Sequence, residues 1–544
     1  MKTYDHIVIG AGSAGCAVAA RLSEDPARIV LLIEAGGTSK TVNHSAPAAY
    51  TNQYLSKSDW AYETEPEPGC DGRRIYEPRG KVLGGSSSMN AMMWVRGNPA
   101  DYDGWGIDGW GWGDVRPVFE RMEQRHPPVA MTGGANDGPI HVTQRPEQND
   151  LSDAYVSAAA RATGVSAGGD LSSEAATANL TQQTVYRGRR WSTARAYLDE
   201  AAKRPNLTVL TRALVRRIVL RDGRAVGVEF DRFGRRGAAA ARADVILCAG
   251  AFNTPHLLQL SGIGDPGHLR SIGVTPTVEN AHVGEHLSEH PLIWCDWERT
   301  PGPDIGLFDG KHPKHVLRWA TRRSGMLAST PVHACAHVPS RDGLDGPDLQ
   351  LTMVPTYVAW EAFGVMAEHT APAVNLGASY WTPASEGRVW ARSSDPREKP
   401  AVLLNLLTER EDVDAVMRAI RLLRRIAATE PLAQSLGAEL RPGHEVSTDA
   451  ELERWVRQHC EHTYHPSCTA RMSMDRADGV VDSQLRVHGV DGLRIADCSV
   501  LPRITRANTN APAIMAGERC ATFVREGARV NAGSATKDPL RAAS

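Results

Sequence analysis

The sequence lacks the features that mark a membrane, nucleic-acid-binding or disulfide-stabilised protein. No apolar run approaches the ~18–20 residues that a bilayer-spanning helix needs. The formal net charge is −2 over 544 residues, which provides no field for nucleic acid or an anionic membrane. The nine cysteines are scattered and include no C-x-x-C pair, which argues against a disulfide framework. We therefore expect a soluble, cytoplasmic protein with no nucleic-acid partner and no transmembrane segment.

The length and composition indicate an ordinary globular chain of more than one domain. Hydrophobic residues make up 42% of the sequence and charged residues 23%, which is typical of soluble proteins. The sequence shows no internal repeats, so a solenoid or propeller is not expected. A chain of 544 residues predicts two or three domains.

The first 36 residues carry the clearest motif in the chain. Residues 6–9 are an apolar run that predicts a buried strand, and a G-x-G-x-x-G follows at residues 10–15. Small and aliphatic residues then predict a helix, and a second apolar strand over residues 29–33 ends in Glu34. This order of strand, glycine turn, helix, strand and acid predicts a unit that binds the ADP portion of a dinucleotide.

Each part of such a unit has a physical reason. Gly10 allows the tight turn, Gly12 lets the backbone approach a pyrophosphate, and Gly15 lets the helix pack closely on the strand. The helix N-terminus presents unpaired N–H groups to the phosphates. Glu34 stands where a carboxylate accepts from a ribose 2′-hydroxyl, which favours FAD or NAD over NADP. The motif alone leaves FAD and NAD open.

The rest of the chain changes character near residue 290. Residues 207–230 predict three strands, of which the last two form an antiparallel hairpin, and residues 243–249 predict another buried strand. Residues 290–460 contain alternating segments that indicate a second domain built on an antiparallel sheet. We expect the last helix over residues 513–524, followed by a loose polar tail.

Two further patches are candidates for chemistry. The glycine- and serine-rich segment over residues 80–97 offers N–H and hydroxyl donors for a second phosphate or ring contact, with a plain serine-rich turn as the alternative. Residues 460–468 contain two cysteines and two histidines. Their spacing does not match that of zinc fingers or zinc ribbons, so we predict no metal site there.

Together these motifs make the chain resemble the glucose–methanol–choline (GMC) oxidoreductases, which are flavin-dependent alcohol oxidases and dehydrogenases. The choline-dehydrogenase-like branch is the most similar. The resemblance covers nearly the whole chain and depends on five patches: residues 10–15 with Glu34, residues 80–97, residues 250–264, residues 465–472 and residues 497–512. It implies FAD rather than NAD.

The resemblance also implies the architecture. It predicts an α/β fold, with an FAD-binding Rossmann-like, three-layer domain and a substrate domain built on a mostly antiparallel sheet. The predicted FAD-binding domain comprises residues 1–150, 186–290 and 465–530; the predicted substrate-binding domain comprises residues 151–185 and 291–464; and residues 531–544 are a predicted flexible tail.

The resemblance assigns residues to the cofactor. The residues that it assigns to the ADP half of the cofactor are Gly10, Gly12, Gly15 and Glu34. The residues that it assigns to the adenine, pyrophosphate, ribityl chain and flavin ring are Gly84, Gly85, Ser86, Asn90, Val215, Asp497, Asn510 and Ala511. Family members with covalent FAD have a histidine at the position of Met89. Because a thioether cannot form that histidyl link, we expect non-covalent FAD.

The resemblance places His465 at the flavin as the catalytic base. A neutral imidazole accepts a hydroxyl proton near pH 7, and the amide of Asn510 is expected to hydrogen-bond the same oxygen. His462 is expected in a supporting position. The sequence departs from the family at His286 and Glu289, where Asn and Asp are more common, and this leaves the local contacts there open.

We therefore predict an FAD-dependent alcohol dehydrogenase or oxidase. It is expected to convert the CH–OH group of a small-molecule alcohol to an aldehyde or ketone by hydride transfer to flavin N5. The alternative on the same scaffold is an FAD-containing lyase of the hydroxynitrile-lyase type. Oxygen, a quinone and a redox protein each suit the motifs as electron acceptor, and the alcohol itself is not specified by them.

Overall fold

Two large β-sheets organise the chain. The computed structural model describes residues 2–129, 135–144, 150–172, 175–300, 313–355, 359–361, 365–367 and 373–535. In chain order, the strands of the two sheets are β1 Lys2–Ile9, β2 Val30–Ile33, β3 Ser166–Ala167, β4 Thr177–Leu180, β5 Leu207–Leu210, β6 Ala213–Arg221, β7 Arg224–Arg232, β8 Arg235–Leu247, β9 Pro291–Arg299, β10 Ala334–Val338, β11 Leu349–Val354, β12 Ala373–Tyr380, β13 Leu436–Arg441, β14 Glu461–His462 and β15 Leu493–Ile495.

Eight helices of at least ten residues accompany these strands within the described ranges. They are α1 Ser13–Leu22, α2 Trp112–Met122, α3 Asp150–Thr163, α4 Gly250–Leu260, α5 Pro313–Arg322, α6 Arg410–Ala427, α7 Asp449–His459 and α8 Asn510–Ala535. Shorter helices and strands fill the connections, among them Pro99–Gly104, Ile140–Gln144, Pro266–Ser271, Arg388–Trp390 and Ala401–Leu403.

The first sheet is a parallel sheet with an antiparallel hairpin at one side. Its order is β5-β2-β1-β8-β7-β6, and β15 also pairs with β8. The strands β5, β2, β1, β8 and β15 run parallel, whereas β6 and β7 form the predicted antiparallel hairpin. All four residues of β2 are buried, as expected of a strand in a parallel sheet that is covered on both faces.

Two helices pack against each other beside this sheet at very short range. Eight of the ten residues of α1 are buried, and most of them are small. A Cβ atom at Gly517 of α8 would lie 2.6 Å from the carbonyl oxygen of Ala14 in α1. The small side chains therefore let α8 cross close to the N-terminal end of α1, which is the end that faces the site described below.

The second sheet is antiparallel, apart from the parallel pair β3 and β4. Its order is β13-β9-β12-β11-β10-β4-β3, with β14 also paired to β9. Alternate residues of β11 face opposite sides: Leu349, Leu351 and Met353 join a hydrophobic core that includes residues of α3 and α6. The predicted antiparallel sheet is confirmed, and segments from both predicted parts of the substrate domain contribute strands to it.

The C-terminal helix is longer than predicted. It extends through residues 510–535 instead of residues 513–524, so the predicted tail over residues 531–544 begins inside it, and residues 536–544 lie outside the described part. The added residues include several alanines, which have the highest helix propensity. Adding residues to an existing helix costs far less free energy than nucleating one. The added turns therefore form without the apolar periodicity on which the prediction relied.

The sequence predicted neither a transmembrane helix nor a disulfide framework, and the described residues bear on both points. No helix among them combines the length and the apolar character needed to cross a lipid bilayer. All nine cysteines lie in the described part of the chain, and each is a free thiol.

The contact between α1 and α8 yields a prediction about stability. Gly517→Ala places a methyl group against the Ala14 carbonyl, so we expect the free energy of unfolding to fall by about 1–3 kcal/mol. Gly527→Ala is the matched control, because the same helix is exposed there and a Cβ atom would meet nothing within 4 Å. That variant should be neutral or slightly stabilising. Thermal melts of both FAD-saturated variants test this, and equal melting temperatures would contradict it.

Candidate active site

A single cavity is lined by residues of both sheets. At one end lie residues that follow the carboxyl ends of parallel strands: Gly10 after β1, Glu34 after β2, Ala249 after β8 and Asp497 after β15. At the other end lie residues of β9, β11 and β12, together with His465. The carboxyl ends of parallel strands are where open α/β sheets bind their ligands.

Most of the predicted site residues line this cavity. They are Gly10, Gly12, Glu34, Gly85, Ser86, Asn90, Val215, His465, Asp497 and Asn510. The other three shape it from behind. A Cβ atom at Gly15 would lie 1.9 Å from the Gly10 oxygen, the N–H of Gly84 donates to the Ala11 oxygen, and Ala511 is fully buried in the core.

At the glycine turn the cavity is lined by backbone atoms, because the glycines there have no side chain. Gly10 has φ +93°, and a Cβ atom there would lie 2.4 Å from the Cys248 oxygen. Gly12 is the N-cap of α1 and provides no side-chain hydrogen bond, so the first N–H groups of α1 face the cavity. Gly85 approaches so closely that its Cβ would be 2.7 Å from the Gly12 Cα. A pyrophosphate fits such a lining of backbone N–H groups and a positive helix end.

The carboxyl group of Glu34 holds the turn in place. Its two oxygens accept from the N–H groups of Ala11 and Gly36, at 2.9 and 2.8 Å. Burial raises the pKa of Glu34 to about 7, against the lowering effect of these hydrogen bonds. Since a carboxylate has about four lone-pair positions, it retains the capacity to accept from a ribose hydroxyl.

A buried arginine, Arg190, fixes the serine-rich loop. Nη1 of Arg190 donates to the main-chain oxygen of Asn90 at 2.6 Å and to its Oδ1 at 2.7 Å. The hydroxyl of Ser87 accepts from the N–H of Thr193 at 3.0 Å. Because the Asn90 oxygen is engaged, its Nδ2 group is the donor available to a ligand in the cavity.

Asp497 joins the end of β15 to the start of α4. Its carboxylate accepts from the Gly250 N–H at 2.9 Å, the Thr254 hydroxyl at 2.7 Å and the Ser499 N–H at 2.8 Å. The sequence predicted only a cofactor contact for this acid. The structure adds that it fixes the start of α4 to the segment that follows β15.

His465 lies at the sheet-two end of the cavity in a hydrogen-bonded network. Its Nε2 accepts from Nδ2 of Asn508 at 3.3 Å, and the Asn508 Oδ1 accepts from Nε2 of Gln350 at 3.2 Å. On its other side, Nδ1 of His465 lies 2.7 Å from the Thr463 hydroxyl and 3.0 Å from Nδ1 of His290. These partners assign the ring proton to Nδ1 and a lone pair to Nε2.

The asparagine beside His465 is not the one predicted from the sequence. Asn510 is the first residue of α8, and its Oδ1 accepts from the hydroxyl of Ser13 at 2.7 Å. Asn508 precedes the helix, and its amide contacts the His465 ring. Both residues line the cavity, but the role predicted for Asn510 falls to Asn508. Asn510 contacts α1, and Asn508 contacts His465.

Glu289 connects the two histidine-bearing segments. Its Oε1 accepts from the N–H groups of His290 at 2.8 Å and His465 at 2.9 Å, while Oε2 lies 3.6 Å from Nδ1 of His462. Burial alone would lower the pKa of His462, but Glu77 and Glu289 raise it above its ordinary value. His462 is therefore a buried imidazolium, and the departure from the family at position 289 is a carboxylate that supports the site.

The neighbours of His465 keep its own ring neutral. Burial lowers its pKa to about 4; Glu289 opposes this, and the positive charges of Arg79 and His462 reinforce it. At neutral pH the ring therefore carries no charge, and its Nε2 lone pair is directed toward the cavity side where Asn508 lies.

The zinc alternative for residues 460–468 has no counterpart among the described residues. The one group of acidic, histidine or cysteine side chains there that is close enough to share an ion comprises Glu77, Glu289 and His462. It contains no cysteine. The Cys460 thiol instead donates to the Glu461 oxygen.

The second sheet provides the floor of the cavity at the His465 end, and sequence reasoning did not identify its residues. They are Leu292, Trp294, Gln350, Thr352, Val354 and Ser379. Each strand contributes alternate positions, so the two-residue period of β11 was the signal that could have found them. Gly377 makes room for Trp294, because a Cβ atom there would lie 2.5 Å from Cζ3 of the indole.

Comparison with known proteins relates most of the chain to one family. The GMC oxidoreductase family matches residues 4–292 with its N-terminal part and residues 383–517 with its C-terminal part. The oxygen-dependent choline dehydrogenase of Sinorhizobium fredii (strain NBRC 101917 / NGR234) is 39% identical over 528 residues, which cover 96% of this chain and 95% of that protein.

Solved structures share the whole fold. A formate oxidase superposes with a TM-score of 0.89 at 27% identity and covers 97% of this chain and 98% of its own. Pyridoxine 4-oxidase from Mesorbium loti superposes with a TM-score of 0.85 at 27% identity, over 96% and 99%. The predicted fold class is thereby confirmed, and the chain belongs to the GMC oxidoreductase family.

Proposed function

We propose that the chain oxidises the CH–OH group of a small-molecule alcohol to an aldehyde or ketone, with His465 as the base. The single observation that carries this proposal is the neutral, buried imidazole whose Nε2 lies 3.3 Å from the Asn508 amide in the cavity. The relatives point the same way, since one is named as a choline dehydrogenase and another as a pyridoxine oxidase.

The family relation confirms FAD as the cofactor. The backbone at Gly10, Gly12 and Gly85 suits its pyrophosphate, and Glu34 suits a ribose. When bound, FAD supplies the acceptor for the hydride that leaves the alcohol carbon. Met89 is 3% exposed and lines the cavity, so attachment through a histidine at this position is impossible, and we propose that FAD is held without a covalent bond.

His465 and Asn508 act on the hydroxyl group of the substrate. Two groups 3.3 Å apart can both reach one oxygen at hydrogen-bond distance, so Nε2 takes the hydroxyl proton while Nδ2 donates to the oxygen. The Nδ1 proton of His465 stays directed at Thr463 and His290, which hold the ring in this orientation. Glu289 fixes the main chain of the same histidine.

The lyase alternative differs in one measurable step. A lyase would use the same base without net oxidation of the substrate, whereas the proposed reaction reduces the flavin. Anaerobic addition of an alcohol should therefore bleach the flavin absorbance at about 450 nm, as expected of a cofactor that accepts a hydride. This assay does not depend on which acceptor later reoxidises the cofactor.

Non-covalent FAD predicts a simple outcome on denaturation. Acid or heat precipitation should give a yellow supernatant and a colourless pellet, since Met89 offers no histidyl link. Flavin that stays with the washed pellet would contradict the prediction.

Replacing Glu34 should weaken cofactor binding and leave the chemistry intact. In Glu34→Ala the turn loses the acceptor for the Ala11 and Gly36 N–H groups, as well as the proposed ribose contact. A hydrogen bond to a charged group contributes ~1.5–3 kcal/mol, so the dissociation constant of FAD should rise roughly ten- to a hundredfold. Titration of the apoprotein with FAD measures it. The rate of flavin reduction in the remaining holoenzyme should match that of the native protein.

The two asparagines give a matched test of the site. His465→Ala should slow anaerobic flavin reduction by ~10²–10⁴ while FAD is retained, because a positioned base is lost. Asn508→Ala should slow it by ~10²–10³, as expected for one lost donor to the reacting oxygen. Asn510→Ala should instead act mainly on FAD retention, since its amide contacts Ser13 at the start of α1. A slower reduction in Asn510→Ala than in Asn508→Ala would contradict the assignment.

The buried position of His465 also fixes the direction of the pH profile. Its pKa is lowered from an ordinary value of 6.5 to about 4, so the base is inactive below that pH and active above it. For a neutral alcohol, whose binding does not depend on an ionised partner, a plot of kcat/KM should therefore rise along an acidic limb near pH 4 and be level through neutral pH. The limb should disappear in His465→Ala, and a limb near 6.5 would mean that the ring is far more solvated than the structure shows.

A further inference from the structure

We propose that Arg190 raises the reduction potential of the bound FAD, because its positive charge stabilises the negative charge that the flavin ring gains with a hydride. Arg190 acts on the ring through Asn90, so it is a positioning residue and not a catalytic one. The inference depends on the FAD that the family binds, and it does not depend on which substrate the chain oxidises.

Arg190 differs from the other buried arginines in having no acidic partner. Four other buried arginines in the described part of the chain each lie 2.5–3.6 Å from a carboxylate oxygen, and they are Arg96, Arg125, Arg494 and Arg506. Arg190 is 1% exposed, and no carboxylate of the described residues forms an ion pair with it or acts on its charge. An uncompensated charge in the interior is costly, and a negative charge on a ligand relieves that cost.

The hydrogen bonds of Arg190 leave its charge in place. All of them come from Nη1, which donates to the main-chain oxygen of Ser87 at 3.3 Å, the main-chain oxygen of Asn90 at 2.6 Å and Oδ1 of Asn90 at 2.7 Å. These acceptors are neutral oxygens. The Nε and Nη2 groups are buried and have no hydrogen-bond partner among the described residues. The protein therefore holds the guanidinium in one orientation without neutralising it.

A short hairpin explains why this arginine is buried and its neighbour is not. Residues 185–186 pair in antiparallel fashion with residues 189–190, so that Val185 lies opposite Arg190 and Tyr186 lies opposite Arg189. Directly opposed residues share a face, and successive residues point to opposite faces. Val185 and Arg190 are buried, whereas Tyr186 and Arg189 are half-buried. The hairpin thus directs one arginine inward and the adjacent one toward solvent.

The charge of Arg190 is close to the part of the cavity that suits the flavin ring. Asn90 contacts the guanidinium and also lines the cavity. It follows Met89, which stands where family members with covalent FAD have the histidine that is linked to the flavin. Tyr50 lines the same cavity; burial raises the pKa of its phenol to about 12, and the charge of Arg190 opposes this rise. The family relation therefore supports the flavin ring, and not the ADP half, as the neighbour of Asn90.

Hydride transfer creates the charge that Arg190 would stabilise. The alcohol carbon loses a hydride, and the flavin that receives it carries one more negative charge than the oxidised ring. Burial lowers the pKa of Arg190 to about 9, so the guanidinium remains protonated at neutral pH. A cation in a low-dielectric interior acts strongly on a nearby anion. With its Oδ1 held by Arg190, Asn90 also presents its Nδ2 group as a donor to the ring.

The test measures the midpoint potential of the FAD in the native holoenzyme and in two variants, by equilibration with a reference dye. Arg190→Gln keeps a donor toward Asn90 but loses the charge. Its affinity for reduced FAD, relative to oxidised FAD, should fall roughly tenfold or more. For a two-electron couple, a tenfold change lowers the potential by ~30 mV. Arg190→Lys keeps the charge and should stay close to the native potential.

Arg189→Gln is the matched control, because it removes the same charge from the next residue, whose side chain lies on the solvent side of the hairpin. Solvent and salt screen that charge, so the potential should not change. The native protein gives an independent measurement. Its bound FAD should have a higher midpoint potential than free FAD under the same conditions, because an uncompensated cation favours the reduced, anionic ring.

Each contrary result has a defined meaning. An unchanged potential in Arg190→Gln, an equal fall in Arg190→Gln and Arg190→Lys, or a native potential at or below that of free FAD would overturn the inference. Weaker binding of oxidised FAD at an unchanged potential would assign the charge of Arg190 to the pyrophosphate and would overturn it too. If Arg190→Gln does not fold, Arg190→Lys and the native potential still decide. None of these measurements uses an alcohol, so the proposed function and this inference can fail separately.

Discussion

The site depends on one buried carboxylate that holds two distant parts of the chain together. Glu289 accepts from the main-chain N–H groups of His290 and His465, and it faces the imidazolium of His462. Such a charge stays ionised in the interior because its oxygens are engaged by N–H groups and a cation. The same arrangement leaves His465 neutral, since the positive charge lies on His462, three residues earlier in the chain, and lowers the pKa of His465 further.

Local features of the site were predictable because their chemistry is contained in short segments. The turn at Gly10 and Gly15 and the acid at Glu34 belong to one short unit of chain, and the structure shows within it the close approach of Gly15 to the Gly10 oxygen and the hydrogen bond from the Ala11 N–H to Glu34. The roles of His465 and of the serine-rich loop came from the family resemblance instead. A histidine between two cysteines has several chemical uses, and spacing alone does not choose among them.

What the sequence missed depends on contacts between distant residues. Asn508 and Asn510 are separated by one residue, and only the start of α8 decides which amide meets α1 and which meets His465. Apart from its bond to the adjacent His290, Glu289 contacts His462 and His465, which lie 173 and 176 residues further along the chain, and these contacts arise from the pairing of β9 with β14. The length of α8 was missed for another reason: its last turns continue a helix without an apolar pattern.

The segment over residues 461–472 passes from one sheet to the other within twelve residues. Its start pairs with β9 of the second sheet, and its end donates main-chain hydrogen bonds to residues 498–500, just beyond β15 of the first. His465, the proposed base, therefore belongs to neither sheet but to the connection between them. Substitutions that shift one sheet against the other by a few tenths of an ångström should alter turnover even when they lie far from the cavity. Substitutions that repack the interior of one core, without moving the two sheets relative to each other, should therefore raise the melting temperature with the least effect on turnover.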